Sequence, residues 1–166
     1  MPTRRCTWAP VGKTPLIIEH WVRSKISVCG ALVINPEGEP SGMFSEIRRS
    51  NYTQIGVVEF LEDLIEALPR KLTVILDNAK IHREEWIEDF VREHSNVVIE
   101  YFPAYAPELN PVEYVWSAIK RALANWAPDD IEQLERGVQR ELQRAAFSPQ
   151  LLRGCVAAAE LEVSQS

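Results

Sequence analysis

The thirty residues from Leu72 to Tyr101 constrain the fold more than any other stretch of the chain. Leu72 to Leu76 (LTVIL) is a short apolar run, and from about Glu84 to Glu93 the residues Trp86, Ile87, Phe90 and Val91 recur on one helical face. Val97 to Tyr101 (VVIEY) is a second short apolar run. Strand, helix and strand in so few residues predict a right-handed parallel crossover. Leu72 to Leu76 is apolar at both alternating sets of positions, which predicts a central strand covered on both faces. Open sheets of this kind collect function at the carboxyl ends of their strands, and Asp77 stands at that end.

The flanks supply the rest of an α/β domain. Lys25 to Ile34 (KISVCGALVI) reads as a buried strand closed by the turn residues Asn35, Pro36 and Gly38, with Ser41 to Arg48 as its hairpin partner. From Thr53 to Leu68, Val57, Val58, Leu61, Leu64, Ile65 and Leu68 share a helical face opposite Glu59, Glu62, Asp63 and Glu66, and Pro69 ends the pattern. Prolines at 103, 107 and 111 make Phe102 to Asn110 a rigid loop. Asn110 then suits a helix cap and Pro111 the first helical position, with Val112, Val115, Trp116, Ile119 and Leu123 as the apolar stripe that follows. Pro128 and Asp129 open a further helix to about Ala146, and Ser148-Pro149 caps a last one to about Leu161.

Composition sets the outer bounds. A chain of 166 residues, 46% hydrophobic and 25% charged, can form one globular domain with a real core. The apolar runs are far too short to span a membrane and the N-terminus lacks a signal-peptide core, which predicts a cytoplasmic protein with no membrane partner. Cys6, Cys29 and Cys155 are odd in number and widely spaced, as expected of reduced thiols. A net charge of −6 sits poorly with a nucleic-acid partner, but residues 1 to 25 hold Arg4, Arg5, Lys13, Arg23 and Lys25 against Glu19 alone. That segment reads either as a basic entry face or as an ordinary solvated surface.

Two carboxylates carry the chemistry. Asp77-Asn78-Ala79-Lys80-Ile81-His82 places an acid, an amide and an imidazole within six residues. Asp-Asn is equally good turn chemistry, and His82 suits a loop-fixing hydrogen bond at least as well as a metal. Glu113, three residues after Asn110, matches a capping box, yet the proline-fixed loop also lets it share a cation with Asp77. Two hard-oxygen ligands with room for water and phosphate form a magnesium-type arrangement. No phosphate loop, GxGxxG or GxSxG occurs, which removes the nucleotide-fold and serine-hydrolase readings. Trp8, Trp86, Trp116 and Trp126 lie on separate elements and read as core rather than base-stacking residues.

LDNAKIH at 76 to 82, FPAYAPELNPVEYVW at 102 to 116 with Lys120 and Arg121 behind it, and the arm RCTWAPVGKTP at 5 to 15 closely resemble blocks of the DDE transposases, in the bacterial insertion-sequence branch of the Tc/mariner superfamily. The resemblance implies a ribonuclease-H-like α/β domain, a mixed sheet flanked by helices, over residues 1–126, with residues 127–166 as C-terminal helices packed on it. It implies Asp77 and Glu113 as catalytic metal ligands and a two-metal site for Mg²⁺ or Mn²⁺. Asn78, His82 and Asn110 would support the site, and Lys120 and Arg121 would contact DNA. The implied partners are DNA, as element ends and target, and either a second copy or an upstream transposase half. The chain departs from the family pattern at its start. The first catalytic Asp and its strand precede the segment matching Met1-Pro2-Thr3, so the domain is expected to be N-terminally truncated, with an unpaired edge along Lys25 to Ile34 and little or no cleavage activity by itself. A non-catalytic fragment that binds DNA or full-length transposase is the alternative.

Overall fold

The structure, a computed structural model, describes residues 25–82 and 85–160. The arm at 5 to 15, Trp8 and the basic segment up to Arg23 lie outside the described residues. Strands β1 (Ser27–Ile34) and β2 (Pro40–Arg48) form an antiparallel hairpin, and helix α1 (Gln54–Ala67) follows. Strand β3 (Leu72–Leu76), helix α2 (Glu85–Glu93) and strand β4 (Val97–Tyr101) make the expected crossover, with β3 and β4 paired in parallel from Leu72 opposite Val97 to Leu76 opposite Tyr101. Helices α3 (Pro111–Ala122), α4 (Ile131–Ala146) and α5 (Pro149–Ala158) complete the described chain.

Period-two alternation makes the hairpin a wall between two cores. Ile26, Val28 and Leu32, with Met43 and Ile47 across the ladder, face α3, α4 and α5, where Val115, Leu142, Leu152 and Cys155 are buried. Ala31 and Phe44 point the other way, onto Val57, Leu61 and Leu64 of α1 and Ile87 and Phe90 of α2. Val74, Val97 and Ile99 join that second core from the parallel pair. Helices α1, α3, α4 and α5 are each started by the side chain the sequence offers: Thr53, Asn110, Asp130 and Ser148 accept from the backbone N–H of Gly56, Val112, Gln133 and Leu151. Prolines at the first turns of α3 and α5 remove N–H groups that have no intrahelical acceptor.

Three expectations change. Strand β3 is covered on one face only: Thr73 and Ile75, with Val98 and Glu100 beside them, are exposed. Apolarity at alternating positions shows which residues tolerate burial, not which face receives a helix. Trp86 does not join Ile87 and Phe90 in the core but is 53% exposed. The sheet is also divided among the described residues into β1–β2 and β3–β4, so β1 and β3 each pair on one side only.

Candidate active site

Asp77 leaves the end of β3 in a side-chain turn, its Oδ1 accepting from the N–H of Ala79 at 3.0 Å. The chain then makes one 3-10 turn, Lys80–His82, closed by His82 N–H to the Ala79 carbonyl at 2.9 Å. That turn returns the imidazole to the carboxylate. Nδ1 of His82 lies 2.6 Å from Asp77 Oδ1 and donates to it. The Tyr101 hydroxyl, at the end of β4, donates to the His82 carbonyl at 2.6 Å and fixes the turn from the neighbouring strand. Hydrogen bonding from His82, then the Ala79 N–H, holds the Asp77 carboxyl below its ordinary value despite partial burial. The turn chemistry expected of Asp77 therefore forms, with His82 returned to its carboxylate.

The loop from Phe102 is built to meet it. The Phe102 N–H extends the ladder to the Leu76 carbonyl at 2.9 Å, and the Asn78 amide nitrogen donates to the Phe102 carbonyl. Asn78 Oδ1 is buried without a partner, alone in this among side-chain atoms of the described residues. A second 3-10 turn, Pro107–Leu109, leads into Asn110, whose side chain accepts from Val112 N–H at 3.1 Å. Only half of the expected capping box forms. The Asn110 N–H donates instead to the Pro107 carbonyl at 3.1 Å, so Glu113 is not needed there. Its exposed carboxylate has no hydrogen-bond partner among the described residues.

Asp77 and Glu113 thereby come to line one cavity of about 200 Å³, together with Asn78, Phe102, Pro103, Tyr105, Ala106, Pro107 and Asn110. Trp116, one turn beyond Glu113, lies over Gly30 of β1, where even a methyl group would stand 2.7 Å from the indole; this close approach seats α3 against the hairpin. Lys120 and Arg121 do not line the cavity. They are exposed near the end of α3, roughly 10 Å along the axis from Glu113. His82 also stays outside and acts through Asp77. A broader hollow near the amino ends of β3 and β4, lined by Glu62, Arg70, Lys71 and His94 among others, shares none of these residues.

The donors around the cavity are oxygens: two carboxylates and the unsatisfied amide oxygen of Asn78. Hard oxygen donors suit Mg²⁺ or Mn²⁺, and a buried acceptor lacking a donor is relieved by a cation or its water. The residues fit such an ion. Among the described residues no three His, Cys, Asp or Glu side chains gather within reach of one metal.

Sequence reasoning passed over two features. Tyr105, in the cavity wall, is fully exposed and has a positive φ of 61°. Its place between two prolines was the available signal. The other is an ion-pair network at the end of β2: Arg48 bonds Glu46 and Glu59, each at 2.7 Å, and the Tyr52 hydroxyl donates to Glu46 at 2.9 Å. It braces the start of α1 against the hairpin. Its members are separated by turns whose geometry the sequence does not reveal.

A parallel crossover beside an antiparallel hairpin, flanking helices, and an acidic pair at a strand end and a helix start fit a ribonuclease-H-like α/β domain. Residues 1–135 match the model of the DDE superfamily endonucleases, and the chain belongs to that family. No curated protein sequence matches it. Among solved structures it resembles the Mos1 strand transfer complex with a TM-score of 0.68 and 21% identity, over 96% of this chain and 48% of that one. The Mos1 mariner paired-end complex with Mn matches at TM-score 0.56 and 17% identity, over 96% and 52%. The Mos1 transposase catalytic domain with Raltegravir and Mg matches at 0.52 and 20%, over 82% and 84%. The chain spans about half the length of the Mos1 chains in the DNA complexes, and at these identities the likeness is one of fold.

Proposed function

We propose that this chain is catalytic-domain protein of a DDE transposase in the bacterial insertion-sequence branch of the Tc/mariner superfamily, acting in the cytoplasm on the DNA ends of a mobile element and on target DNA. The carrying observation is that Asp77 and Glu113, 36 positions apart on a strand end and a helix start, border one cavity. The solved Mos1 complexes with transposon ends, Mg and Mn support the same reading. Residues 1–126 are read as the catalytic domain and 127–166 as the helices packed on it.

In this reading Asp77 and Glu113 hold divalent cations, Mg²⁺ or Mn²⁺, which supply charge stabilisation for in-line displacement at phosphorus, first by water and then by the freed 3′ hydroxyl. The protein's own contribution is placement. His82 keeps Asp77 ionised and oriented, Asn78 ties the strand end to the loop, and Asn110 starts the helix that presents Glu113. Lys120 and Arg121 extend the contact along the DNA backbone. Titration calorimetry with Mn²⁺ tests the site: heats present in the native chain disappear in Asp77→Asn/Glu113→Gln. Identical heats in both would remove the metal site from the reading.

A second reading is a non-catalytic protein that binds DNA or a full-length transposase. It is favoured by the two-carboxylate site, since a two-metal clamp calls for a further bridging ligand and none stands beside these two among the described residues. Supercoiled-plasmid nicking, with and without an added N-terminal strand ending in Asp, separates the two. Nicking only by the extended protein assigns the chain alone to the second reading.

A further inference from the structure

We infer that Tyr105 is a positioning residue that stacks on a nucleobase flanking the phosphate that cations on Asp77 and Glu113 would hold. The inference rests on the functional reading above and deepens it.

Folding does not explain Tyr105. Its ring is 100% exposed, so it contributes no burial, and its φ of 61° is a conformation that glycine adopts freely and a bulky residue adopts only at a cost. The backbone is nevertheless fixed there by Pro103 and Pro107 and by the ladder bond from Phe102 to Leu76. A strained, rigid and outward aromatic is thus held in the wall of the same cavity as the two carboxylates.

The lining shows what it can bind. Of the nine residues around the cavity, two are acidic and none is Lys, Arg or His. Without cations of its own, the wall cannot grip a phosphate backbone directly. Stacking on the face of a base needs no opposite charge, tolerates any sequence and uses the kind of surface an exposed tyrosine offers. A base unpaired at a strand end, next to the reacting phosphate, has such a face available.

The test uses the full chain in Mn²⁺ and fluorescence anisotropy with two single-stranded probes of about 12 nucleotides, one of oligothymidylate and one abasic throughout. The native chain prefers the base-bearing probe by about 5–150-fold, the range expected of one stacked base. Tyr105→Trp keeps the preference; Tyr105→Ala and Tyr105→Gly bind both probes alike. A preference unchanged in Tyr105→Ala, or absent from the native chain while both probes bind, overturns the inference and leaves the transposase reading standing. Failure of the native chain to bind either probe overturns the DNA reading itself and this inference with it. Thermal unfolding gives an independent readout. Tyr105→Gly relieves the positive φ and raises Tm by about 2–4 °C while losing base preference. A lower Tm would assign the ring to the fold and overturn the inference.

Discussion

Replacing Gly30 with alanine tests how helix α3 is seated, and therefore how Glu113 is placed. A Cβ at position 30 would lie 2.7 Å and 3.0 Å from the Trp116 indole and 2.9 Å from Met43 Cε. The methionine end can swing away. The indole is a rigid plane on a helix whose next residues inward, Val115 and Ile119, are 0% and 7% exposed, so it must retreat by about 1 Å to reach normal carbon contact, and α3 must move with it. Overpacking of this size costs about 1–3 kcal/mol, against a gain of about 0.5–1 kcal/mol from removing a strand glycine. The net expectation is a loss of about 1–2 kcal/mol, read as a lower urea midpoint at unchanged m-value. In a Trp116→Leu background the clash is gone, and Gly30→Ala should be neutral or stabilising by up to about 1 kcal/mol. The cycle then gives a coupling of about 1–3 kcal/mol. Because Trp116 stands one turn from Glu113, Gly30→Ala should also weaken Mn²⁺ binding in calorimetry. A stabilised single variant, or an equal effect in both backgrounds, refutes the argument that the indole rests on this glycine.

Four other outcomes are expected. Gly137→Ala drives a methyl into the Trp126 indole and should cost about 1–2 kcal/mol in urea unfolding although helix propensity alone predicts a gain; Trp126→Ala should restore the gain. Asn110→Ala should cost about 1 kcal/mol through the lost bond to Val112 N–H and should loosen Mn²⁺ binding by fraying the turn that carries Glu113; unchanged affinity would separate the cap from the site. Tyr52→Phe removes the bond to Glu46 and should lower stability by about 1 kcal/mol, whereas an unchanged urea midpoint would show that water replaces the hydroxyl at no cost. The Asp77 carboxyl is held below its unfolded value, so its stabilisation is present above the ordinary carboxylate range and is lost as pH falls through the depressed value. In chelator, the stability difference between native chain and Asp77→Asn should therefore shrink from about pH 5 to pH 2, and a difference that widens on acidification would reverse the assignment.

Local pattern carried most of the architecture. Helix stripes, capping residues and the strand-helix-strand spacing located every described strand and α-helix from Ser27 to Ala158 to within a few residues, because each is decided by side chains a few positions apart, whereas the two 3-10 turns, Lys80–His82 and Pro107–Leu109, went unforeseen. The positions of Asp77 and Glu113 were legible for the same reason: one ends an apolar run and the other opens an apolar stripe. What lay beyond reach depended on distant neighbours. Whether Ile75 and Trp86 are covered depends on where helices from elsewhere dock, and both are exposed. The Glu113 capping box was half right, because the competing bond from Asn110 to Pro107 arises only once the proline loop has closed. Tyr105 could not be singled out by residue type; its positive φ is what distinguishes it.

The hairpin that divides the two cores also divides the carboxylates. Asp77 ends a strand whose buried residues belong with α1 and α2, whereas Glu113 rides on α3 among α4 and α5. Their meeting lies at the seam between the two buried clusters. A subglobal opening of either half would separate the pair while leaving the other half folded. Hydrogen exchange at the Val112 and Glu113 amides would then follow the α3 side, and exchange at Ala79 and Phe102 the β3–β4 side. Anything that bridges the carboxylates, a cation or a nucleic-acid end, would lock the two halves into one exchange class, so occupancy of the site could be read from the joint exchange of these amides.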